Sequence, residues 1–356
     1  MQSCTRNAGR AARACYNWGD VRARGPHVSG VAFVFPGQGS QSVGMARRVA
    51  EACPSAAQAF ATADATLAEP LTRLAWDGPA DELDLTVNAQ PALLAASIAF
   101  LRALETARAE AGVPPLVPAF LAGHSMGQYS ALVAAGVIDL EEGLELVRER
   151  GRQMQAAGGD GAMAAIIGLD DGRLPELVKA GQAHGVFGVA NRNSPGQVVV
   201  SGQRPAVEAA VEAARGLGAR RAILLPVSVA AHSPLMAPAA AAMRLALAPV
   251  PFADPRAPLL ANADARPLTS GEACRSELVE HLTTGVDWVA AVSAMRAAGV
   301  TTFIEVGPGK VLTGLIRRIA PEAATIALDD PAAPQGLAPE ALTPDPSTAI
   351  LAQPTT

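Results

Sequence analysis

Short apolar runs alternate with stretches of helical period along most of the chain. Val31–Phe35 is an apolar run that ends at Pro-Gly, and Leu116–Gly123 is another that ends at a Gly-His-Ser turn, so both predict buried strands. Helices are predicted at Gln41–Glu51 and Pro91–Ala111, separated by an acidic loop, and again from the Gly-His-Ser turn through Ala135. This alternation indicates an α/β domain.

Residues 161–228 have an order of elements of their own. The pattern predicts a strand at Ala162–Leu169, a helix at Arg173–His184, strands at Val186–Ala190 and Gln197–Ser201, a helix at Pro205–Gly216 and a strand at Arg221–Val227. This β-α-β-β-α-β order is the ferredoxin-like arrangement. The first pattern resumes near Val229 and includes a strand at Thr302–Val306. We therefore predict an α/β core at residues 29–160 and 229–326, with a ferredoxin-like subdomain inserted at 161–228.

Neither end of the chain shows the periodic spacing of apolar residues that predicts a helix or a strand. Residues 1–28 carry five arginines and one acidic residue but lack the apolar segment of a secretory signal, which predicts a disordered extension. Residues 327–356 are rich in proline and alanine and predict a disordered tail. No uninterrupted apolar run reaches about 18 residues, so we expect no membrane span and a cytoplasmic protein.

The composition argues against two classes of function. Acidic residues outnumber basic ones, 33 to 28, and the net charge is −5, whereas a nucleic-acid-binding protein should show a basic excess. The four cysteines contain no C-x-x-C pair, and no two of the five histidines have the spacing of metal ligands. We therefore expect no nucleic-acid partner, no metal and no disulfide framework.

The sequence Gly-His-Ser-Met-Gly at 123–127 is the strongest local signal of chemistry. A G-x-S-x-G sequence between an apolar strand and a helix is typical of a nucleophile elbow, whose glycines allow a tight turn. Ser125 would lie at the helix N-terminus, where free N–H groups and the helix dipole favour a developing oxyanion. The alternative is a chance match in a chain rich in glycine and alanine. The strand before the motif and the helix after it favour the nucleophile.

A serine nucleophile needs a base, and His232 is the best candidate. His27 lies in the N-terminal extension, while His184 and His281 lie in polar stretches that predict exposure. His124 adjoins the serine and is interpreted as a packed structural residue. His232 directly follows an apolar strand and precedes a helix, so the fold can bring it to the elbow.

The acid of a hydrolase triad is hard to find. The acidic residues after the serine lie in polar, loop-like settings: Asp139, Asp160, Asp170, Asp171 and Asp287. This disfavours an ordinary esterase. A main-chain carbonyl could orient the imidazole instead.

Arg150 falls on the apolar side of a predicted amphipathic helix, Glu141–Gln155. The apolar stripe of that helix contains Leu140, Leu144, Val147 and Met154. Arg148 and Arg152 fall on the other side and are predicted to be solvated. A buried arginine must be paired, so Arg150 either binds a structural acid or awaits a substrate carboxylate. The position of Arg150 on the helix supports these two interpretations equally.

A glycine-rich turn follows the first predicted strand, in the sequence FVFPGQGSQ at 33–41. A phosphate loop is disfavoured because no G-K-[ST] follows. The turn is either a simple tight connection or a source of backbone N–H groups for an oxyanion hole.

Seven segments together resemble the malonyl-CoA:acyl-carrier-protein transacylase family, the discrete acyltransferases of fatty-acid or trans-acting polyketide synthesis. Between Val31 and Pro321 they are FVFPGQGSQ (33–41), QPALL (90–94), GHSMG (123–127), RG (150–151), NSPGQVV (193–199), VAAHS (229–233) and EVGPGKVLTG (305–314). The resemblance implies an α/β-hydrolase-like core with a parallel sheet and a ferredoxin-like insert.

The resemblance also assigns roles to residues of this chain. It implies that Ser125 is the nucleophile, that His232 is its base and that Arg150 clamps the malonyl carboxylate. The backbone N–H groups of Gln38 and Met126 would form the oxyanion hole.

The resemblance also assigns Gln90 to the substrate pocket or its support. Three other positions depart from the family pattern. Thr284–Trp288 matches a segment that supplies a main-chain acceptor for the histidine, and Asp287 stands there in place of glutamine, so its carboxylate could orient His232. Gln128 replaces the usual glutamate. Ala231 precedes His232, where modular relatives that use malonyl have phenylalanine, so an alkyl branch on the substrate could fit.

The implied activity is transfer of a malonyl or alkylmalonyl group from CoA to the phosphopantetheine thiol of an acyl carrier protein, through an acyl-serine. The CoA thioester is a substrate, no cofactor is expected to be bound, and a monomer is expected. Acyl transfer between two carrier proteins would not need Arg150, and a serine thioesterase or esterase would need an orienting acid. Neither the extender unit nor the pathway, fatty-acid or polyketide, follows from the sequence.

Overall fold

Two β-sheets organise the computed structural model, which describes residues 30–157, 159–227 and 229–329. The strands are β1 Val31–Phe35, β2 Phe120–Gly123, β3 Gly161–Ile167, β4 Phe187–Ser194, β5 Gln197–Gln203, β6 Arg221–Leu224, β7 Leu259–Leu260, β8 Pro267–Leu268, β9 Val286–Asp287, β10 Thr302–Val306 and β11 Ala324–Leu328.

The helices outnumber those expected from the sequence. They are α1 Arg47–Ala52, α2 Pro54–Leu67, α3 Leu71–Asp77, α4 Ala80–Asp84, α5 Thr86–Glu110, α6 Gly127–Ala134, α7 Leu140–Ala156, α8 Leu174–Gln182, α9 Arg204–Gly216, α10 Ala237–Leu247, α11 Gly271–Thr284, α12 Trp288–Ala297 and α13 Val311–Ile319.

The first sheet has the strand order β11-β10-β1-β2-β7-β8 and is parallel except for the β7–β8 pair. Every residue of β1 is buried, as expected for a central strand covered on both faces. Phe33 and Phe35 pack into a core with α2, α5 and α7, while Ala32 and Val34 pack against α12 and α13. In the register of the sheet, Phe35 lies opposite Gly123, so the carboxyl ends of β1 and β2 meet at one edge.

The second sheet has the order β6-β3-β5-β4-β9. Strands β3 to β6 pair antiparallel, and α8 and α9 cover one face, which is the ferredoxin-like arrangement. The short strand β9, from much later in the chain, adds a parallel fifth strand beside β4. The predicted fold class, mixed α/β with a parallel sheet and a separate antiparallel one, is therefore confirmed. The division of the chain into domains at the stated residues stays a prediction.

Some predicted boundaries are wrong. The predicted acidic loop contains α2, α3 and α4. In α2 the buried alanines Ala56, Ala59 and Ala63 recur at helical spacing, and α4 buries Leu83 while its acidic residues are exposed. Helix α1 begins at Arg47 rather than Gln41, since Gly44 and Ala46 have positive φ angles of 90° and 56°. Strand β6 ends at Leu224 rather than Val227.

The predicted ends of the chain lie mostly outside the described residues. The extension at 1–28 lies entirely outside them. The tail was predicted to start at 327, but β11 continues through Leu328, where the strand pairs with β10, and residues 330–356 lie outside the description. Among the described residues, one helix, α5, is long and apolar enough to cross a membrane by length and composition, and 83% of its most apolar window is buried inside the fold.

The turn between β2 and α6 brings three stretches of backbone into close approach. A Cβ atom on Gly123 would lie 2.0 Å from the backbone of Gly127. A Cβ atom on Gly127 would lie 2.3 Å from the carbonyl oxygen of Phe35, at the end of β1. Only glycine fits at both positions, because backbone atoms cannot move aside as a side chain can.

We expect Gly127→Ala to destabilise the protein by about 2–3 kcal/mol or more, since the added methyl group must push β1 away from the turn. The matched control is Gly314→Ala in α13, where no atom lies within 4 Å of the new methyl group. That change should be neutral or stabilising by up to about 1 kcal/mol. Urea denaturation of both variants measures the difference, and equal stabilities would contradict the close approach.

Candidate active site

Ser125 lies at the tip of the turn between β2 and α6 in a strained backbone conformation. Its φ angle is +55°, in the left-handed region that residues with a side chain rarely adopt. The helix begins at Gly127, so the serine hydroxyl stands just before the N-terminus of α6. Backbone strain of this kind persists where surrounding contacts enforce it.

Two buried amide side chains enforce the conformation of the elbow. Asn262, directly after β7, accepts a hydrogen bond from the backbone N–H of Ser125 through Oδ1, at 2.8 Å. Gln128 accepts from the N–H of Gly123 at 3.1 Å and donates to the carbonyl of Leu260 at 3.0 Å. Gln128 therefore ties β2 and the elbow to the adjacent strand β7.

Asn262 was missed by the sequence analysis, as was the buried Glu277 in α11. The Glu277 carboxylate accepts a hydrogen bond from the backbone N–H of Asn262 at 2.6 Å. The only available signal was that Asn262 follows the apolar run Leu259–Ala261, at the carboxyl end of a strand. Such positions lie near ligands in parallel sheets, but β7 is too short to be recognised from its pattern.

His232 contacts the serine through one ring nitrogen and the backbone of α11 through the other. Its Nε2 lies 2.8 Å from Ser125 Oγ, and its Nδ1 lies 2.6 Å from the main-chain oxygen of His281. A carbonyl oxygen can only accept, so Nδ1 carries the proton and Nε2 is free to take the serine proton. This is the geometry of a nucleophile with its general base.

Asp287 does not orient His232. Its carboxylate accepts from the backbone N–H of Ala290 at the start of α12, at 2.9 Å, and pairs with Arg192 at 2.8 Å. The histidine is oriented by the carbonyl of His281 instead, which precedes the predicted segment Thr284–Trp288. Of the two alternatives that the sequence left open, the main-chain acceptor is therefore the one present, because the carboxylate of Asp287 is engaged as the N-cap of α12.

Arg150 is buried beside the serine, with only 1% of its surface exposed. Its Nη1 donates to Gln90 Oε1 at 2.7 Å, and its Nη2 lies 3.1 Å from Ser125 Oγ and 3.3 Å from His281 Nε2. Among the described residues no carboxylate lies within ion-pair distance of Arg150. None of them can therefore form the structural ion pair that was one of the two interpretations of this arginine. Burial lowers the pKa of Arg150 to about 10, which keeps it cationic at neutral pH.

Two residues predicted to be solvated are buried. Arg148 is 5% exposed, pairs with Glu69 at 2.8 Å and donates to Asn88. His281 is fully buried and lies at the site. The solvation of Arg148 was predicted from its position opposite the apolar stripe, and that of His281 from its polar surroundings. The burial comes from tertiary contacts instead, with Glu69 for Arg148 and with Arg150 for His281. Arg152 is exposed, as predicted.

The site opens into a cavity of about 600 Å³ between the two sheets. Gln38, Met126 and Ala231 line it together with the serine, the histidine and the arginine. Gln90 reaches the site through its bond to Arg150. The rest of the lining includes apolar side chains from the second sheet, from the segment after β6 and from α7: Met163, Val199, Leu225, Val227, Val229 and Met154. The cavity thus combines an apolar wall with one buried positive charge.

The electrostatics of the site keep its histidines neutral. Burial, reinforced by the positive charge of Arg150, lowers the pKa of His232 to about 3. Burial also lowers the pKa of His124, whose Nε2 lies 2.9 Å from Asn193 Oδ1 and whose ring meets Trp288 edge-on. The described residues contain no group of three or more His, Cys, Asp or Glu side chains that could hold a metal ion.

This chain is similar over most of its length to known proteins of one family. The acyl transferase domain family matches residues 32–333. The malonyl CoA-acyl carrier protein transacylase of Escherichia coli K12 is 47% identical over 304 residues, which cover 85% of this chain and 96% of that protein.

Two solved structures extend the comparison. The acyl-carrier-protein S-malonyltransferase of Bartonella henselae superposes with a TM-score of 0.83 at 44% identity, covering 88% of this chain and 99% of that one. A malonyl-transacylase in complex with its type II PKS acyl-carrier protein superposes with a TM-score of 0.81 at 43% identity, covering 86% and 98%. The chain therefore belongs to the malonyl CoA-acyl carrier protein transacylase family of acyl transferases.

Proposed function

We propose that this chain transfers a malonyl group from CoA to the phosphopantetheine thiol of an acyl carrier protein, through an acyl-enzyme on Ser125. Malonyl transfer is the activity in the names of its relatives, and one relative was solved with its carrier protein bound. The observation that carries the proposal is the buried cation of Arg150, 3.1 Å from the serine hydroxyl and without a carboxylate partner among the described residues.

In the first half-reaction, His232 Nε2 takes the proton of Ser125 as Oγ attacks the thioester carbonyl of malonyl-CoA. The charge that develops on the carbonyl oxygen is stabilised by the backbone N–H groups of Gln38 and Met126, which we assign as the oxyanion hole. The tetrahedral intermediate collapses, the carbon–sulfur bond breaks, and the imidazolium protonates the leaving CoA thiolate. The malonyl ester of Ser125 remains.

The second half-reaction runs the same steps in reverse. The phosphopantetheine thiol gives its proton to His232 Nε2 and attacks the ester carbonyl. The new thioester forms, the bond to Ser125 Oγ breaks, and the imidazolium returns the proton to the serine. CoA leaves before the carrier protein reacts, so the kinetics should be ping-pong.

Arg150 binds the malonyl carboxylate in this proposal. The guanidinium presents paired N–H donors, which match a carboxylate better than any neutral acyl group. An acetyl group would leave the buried cation without a counter-ion, and sites built on polar pairing reject such analogues strongly. The carboxylate also offsets the positive charge that opposes protonation of His232, so the correct substrate assists its own general base.

Ala231 lines the cavity beside the base and offers only a methyl group to an α-substituent. A malonyl group with a short alkyl branch is therefore the alternative substrate. One pocket contact of this kind discriminates by only about 1–3 kcal/mol.

We also propose that the enzyme acts as a monomer in the cytoplasm. The nucleophile, base and guanidinium all come from one chain, so the site needs no residue from a second copy. CoA thioesters and carrier proteins are substrates of the cell interior.

Mixing the protein separately with malonyl-, methylmalonyl-, ethylmalonyl- and acetyl-CoA tests the acyl-enzyme. We expect a stable mass increase with malonyl-CoA, measured on the intact protein, which is absent in Ser125→Ala. An adduct with ethylmalonyl-CoA as well would extend the substrate class to branched units. Release of CoA without any adduct would instead identify a thioesterase, and neither adduct nor release would indicate a donor other than a CoA ester.

Replacing Arg150 by alanine should separate carboxylated from neutral donors. We expect kcat/KM for malonyl-CoA to fall at least about a hundredfold, because a buried charged pair is lost, while kcat/KM for acetyl-CoA changes little or rises. The control is Arg152→Ala, two residues away on the exposed side of α7. Equal losses with both donors would contradict the carboxylate role of Arg150.

The pH dependence follows from the low pKa of His232. With a pKa of about 3, the imidazole of the free enzyme is already neutral at pH 5.5, and Arg150, His281 and His124 around it add no negative charge. We expect kcat/KM for malonyl-CoA, which reports groups of the free enzyme, to change less than about threefold between pH 5.5 and 8. A tenfold loss per pH unit below the ordinary histidine value of about 6.5 would contradict this. Enzyme returned from pH 5.5 to 7.5 controls for unfolding.

A further inference from the structure

His281 contacts two members of the site with different parts of the residue. Its main-chain oxygen lies 2.6 Å from His232 Nδ1, and its ring nitrogen Nε2 lies 3.3 Å from Arg150 Nη2. The residue is fully buried near the end of α11. The main-chain contact is available to any residue at this position. The ring contact requires a side chain with an acceptor.

The ring contact specifies the tautomer of His281. A guanidinium can only donate, so Nε2 must be the unprotonated acceptor and Nδ1 must carry the proton. Nδ1 faces Glu277 one turn earlier in α11, whose Oε1 lies 3.9 Å away. Burial, reinforced by the positive charge of Arg150 and by the neighbouring His232, lowers the pKa of His281 well below its ordinary value. The imidazole is therefore neutral at the pH of catalysis.

The guanidinium of Arg150 is thus held from two sides by neutral acceptors. Gln90 Oε1 accepts from Nη1 at 2.7 Å, and His281 Nε2 faces Nη2. A carboxylate at either position would form an ion pair and cancel the charge that the substrate needs. A neutral acceptor fixes the direction of the guanidinium and leaves its charge free.

We propose that the imidazole of His281 is a positioning and specificity residue, which holds Arg150 ready for the carboxylate of the acyl group. This role is separate from that of its main-chain carbonyl toward His232. The inference rests on the proposed function, in which Arg150 binds the malonyl carboxylate. It concerns substrate choice and not the chemistry of acyl transfer itself.

The test compares His281→Leu, which removes the acceptor, with His281→Gln, which keeps one. Both variants retain the main-chain carbonyl that orients His232. The readout is the ratio of kcat/KM for malonyl-CoA to that for acetyl-CoA. We expect His281→Leu to lower this ratio about tenfold, mainly because KM for malonyl-CoA rises. A tenfold effect is the size expected when a hydrogen bond to a charged group is lost. His281→Gln should stay within about threefold of the natural protein, and the exposed His184→Leu serves as control.

A double-mutant cycle with Arg150→Ala separates this role from general damage to the site. If His281 acts through Arg150, His281→Leu should leave the ratio unchanged in the Arg150→Ala background. An unchanged ratio in the single variant, an equally low ratio in His281→Gln, or additive effects in the cycle would each overturn the inference.

The same cycle distinguishes failure of the inference from failure of the proposed function. If Arg150→Ala alone lowers both activities equally, the proposed carboxylate role of Arg150 fails, and the inference fails with it. If Arg150→Ala is selective but His281→Leu is not, only the inference about His281 fails. Should His281→Leu not fold, His281→Met supplies the variant with a flexible apolar chain and only a weak acceptor.

Discussion

The site is built around a buried positive charge that has no counter-ion within residues 30–157, 159–227 and 229–329. Arg150 is 1% exposed, and its neighbours Gln90, Ser125 and His281 are all neutral. Removing a cation from water is costly, and neutral hydrogen bonds recover only part of that cost. The remainder is recovered when an anion enters the cavity. In the proposed function, this unsatisfied charge of the free enzyme is the source of its preference for a carboxylated acyl group.

The same charge links recognition of the acyl group to the chemistry of the serine. Arg150 Nη2 lies 3.1 Å from the oxygen that His232 must deprotonate, and its charge adds to burial in lowering the pKa of His232 to about 3. A base of such low pKa is poorly suited to hold a proton, so the imidazolium needs help in the transition state. In the proposed function, the malonyl carboxylate bound to Arg150 supplies this help. Binding energy is then expressed in the rate as well as in affinity.

Local patterns were sufficient for some residues of the site and insufficient for others. The elbow sequence identified Ser125, and helical spacing put Arg150 on a buried stripe. Each of these two signals is contained within a short stretch of neighbouring residues. His281 and Asn262 act through contacts of 131 and 137 residues in sequence separation. Local polarity placed His281 on the surface, and no periodic pattern marks Asn262. The helices α2 to α4 were missed for a related reason, since exposed acidic residues obscured the few buried apolar residues between them, such as Ala59 in α2 and Leu83 in α4.

Charge and shape contribute unequally to the choice of substrate in this cavity. Leaving a buried cation unpaired costs about 3–5 kcal/mol, whereas one extra methylene against Ala231 changes binding by about 1–3 kcal/mol. The cavity wall also includes Met154 and Met163, whose flexible side chains adapt to small changes in volume. If Arg150 binds the substrate carboxylate as proposed, its discrimination between acyl groups exceeds that of the cavity wall. A cavity of this design separates carboxylated from neutral acyl groups first, and sorts among carboxylated groups only weakly.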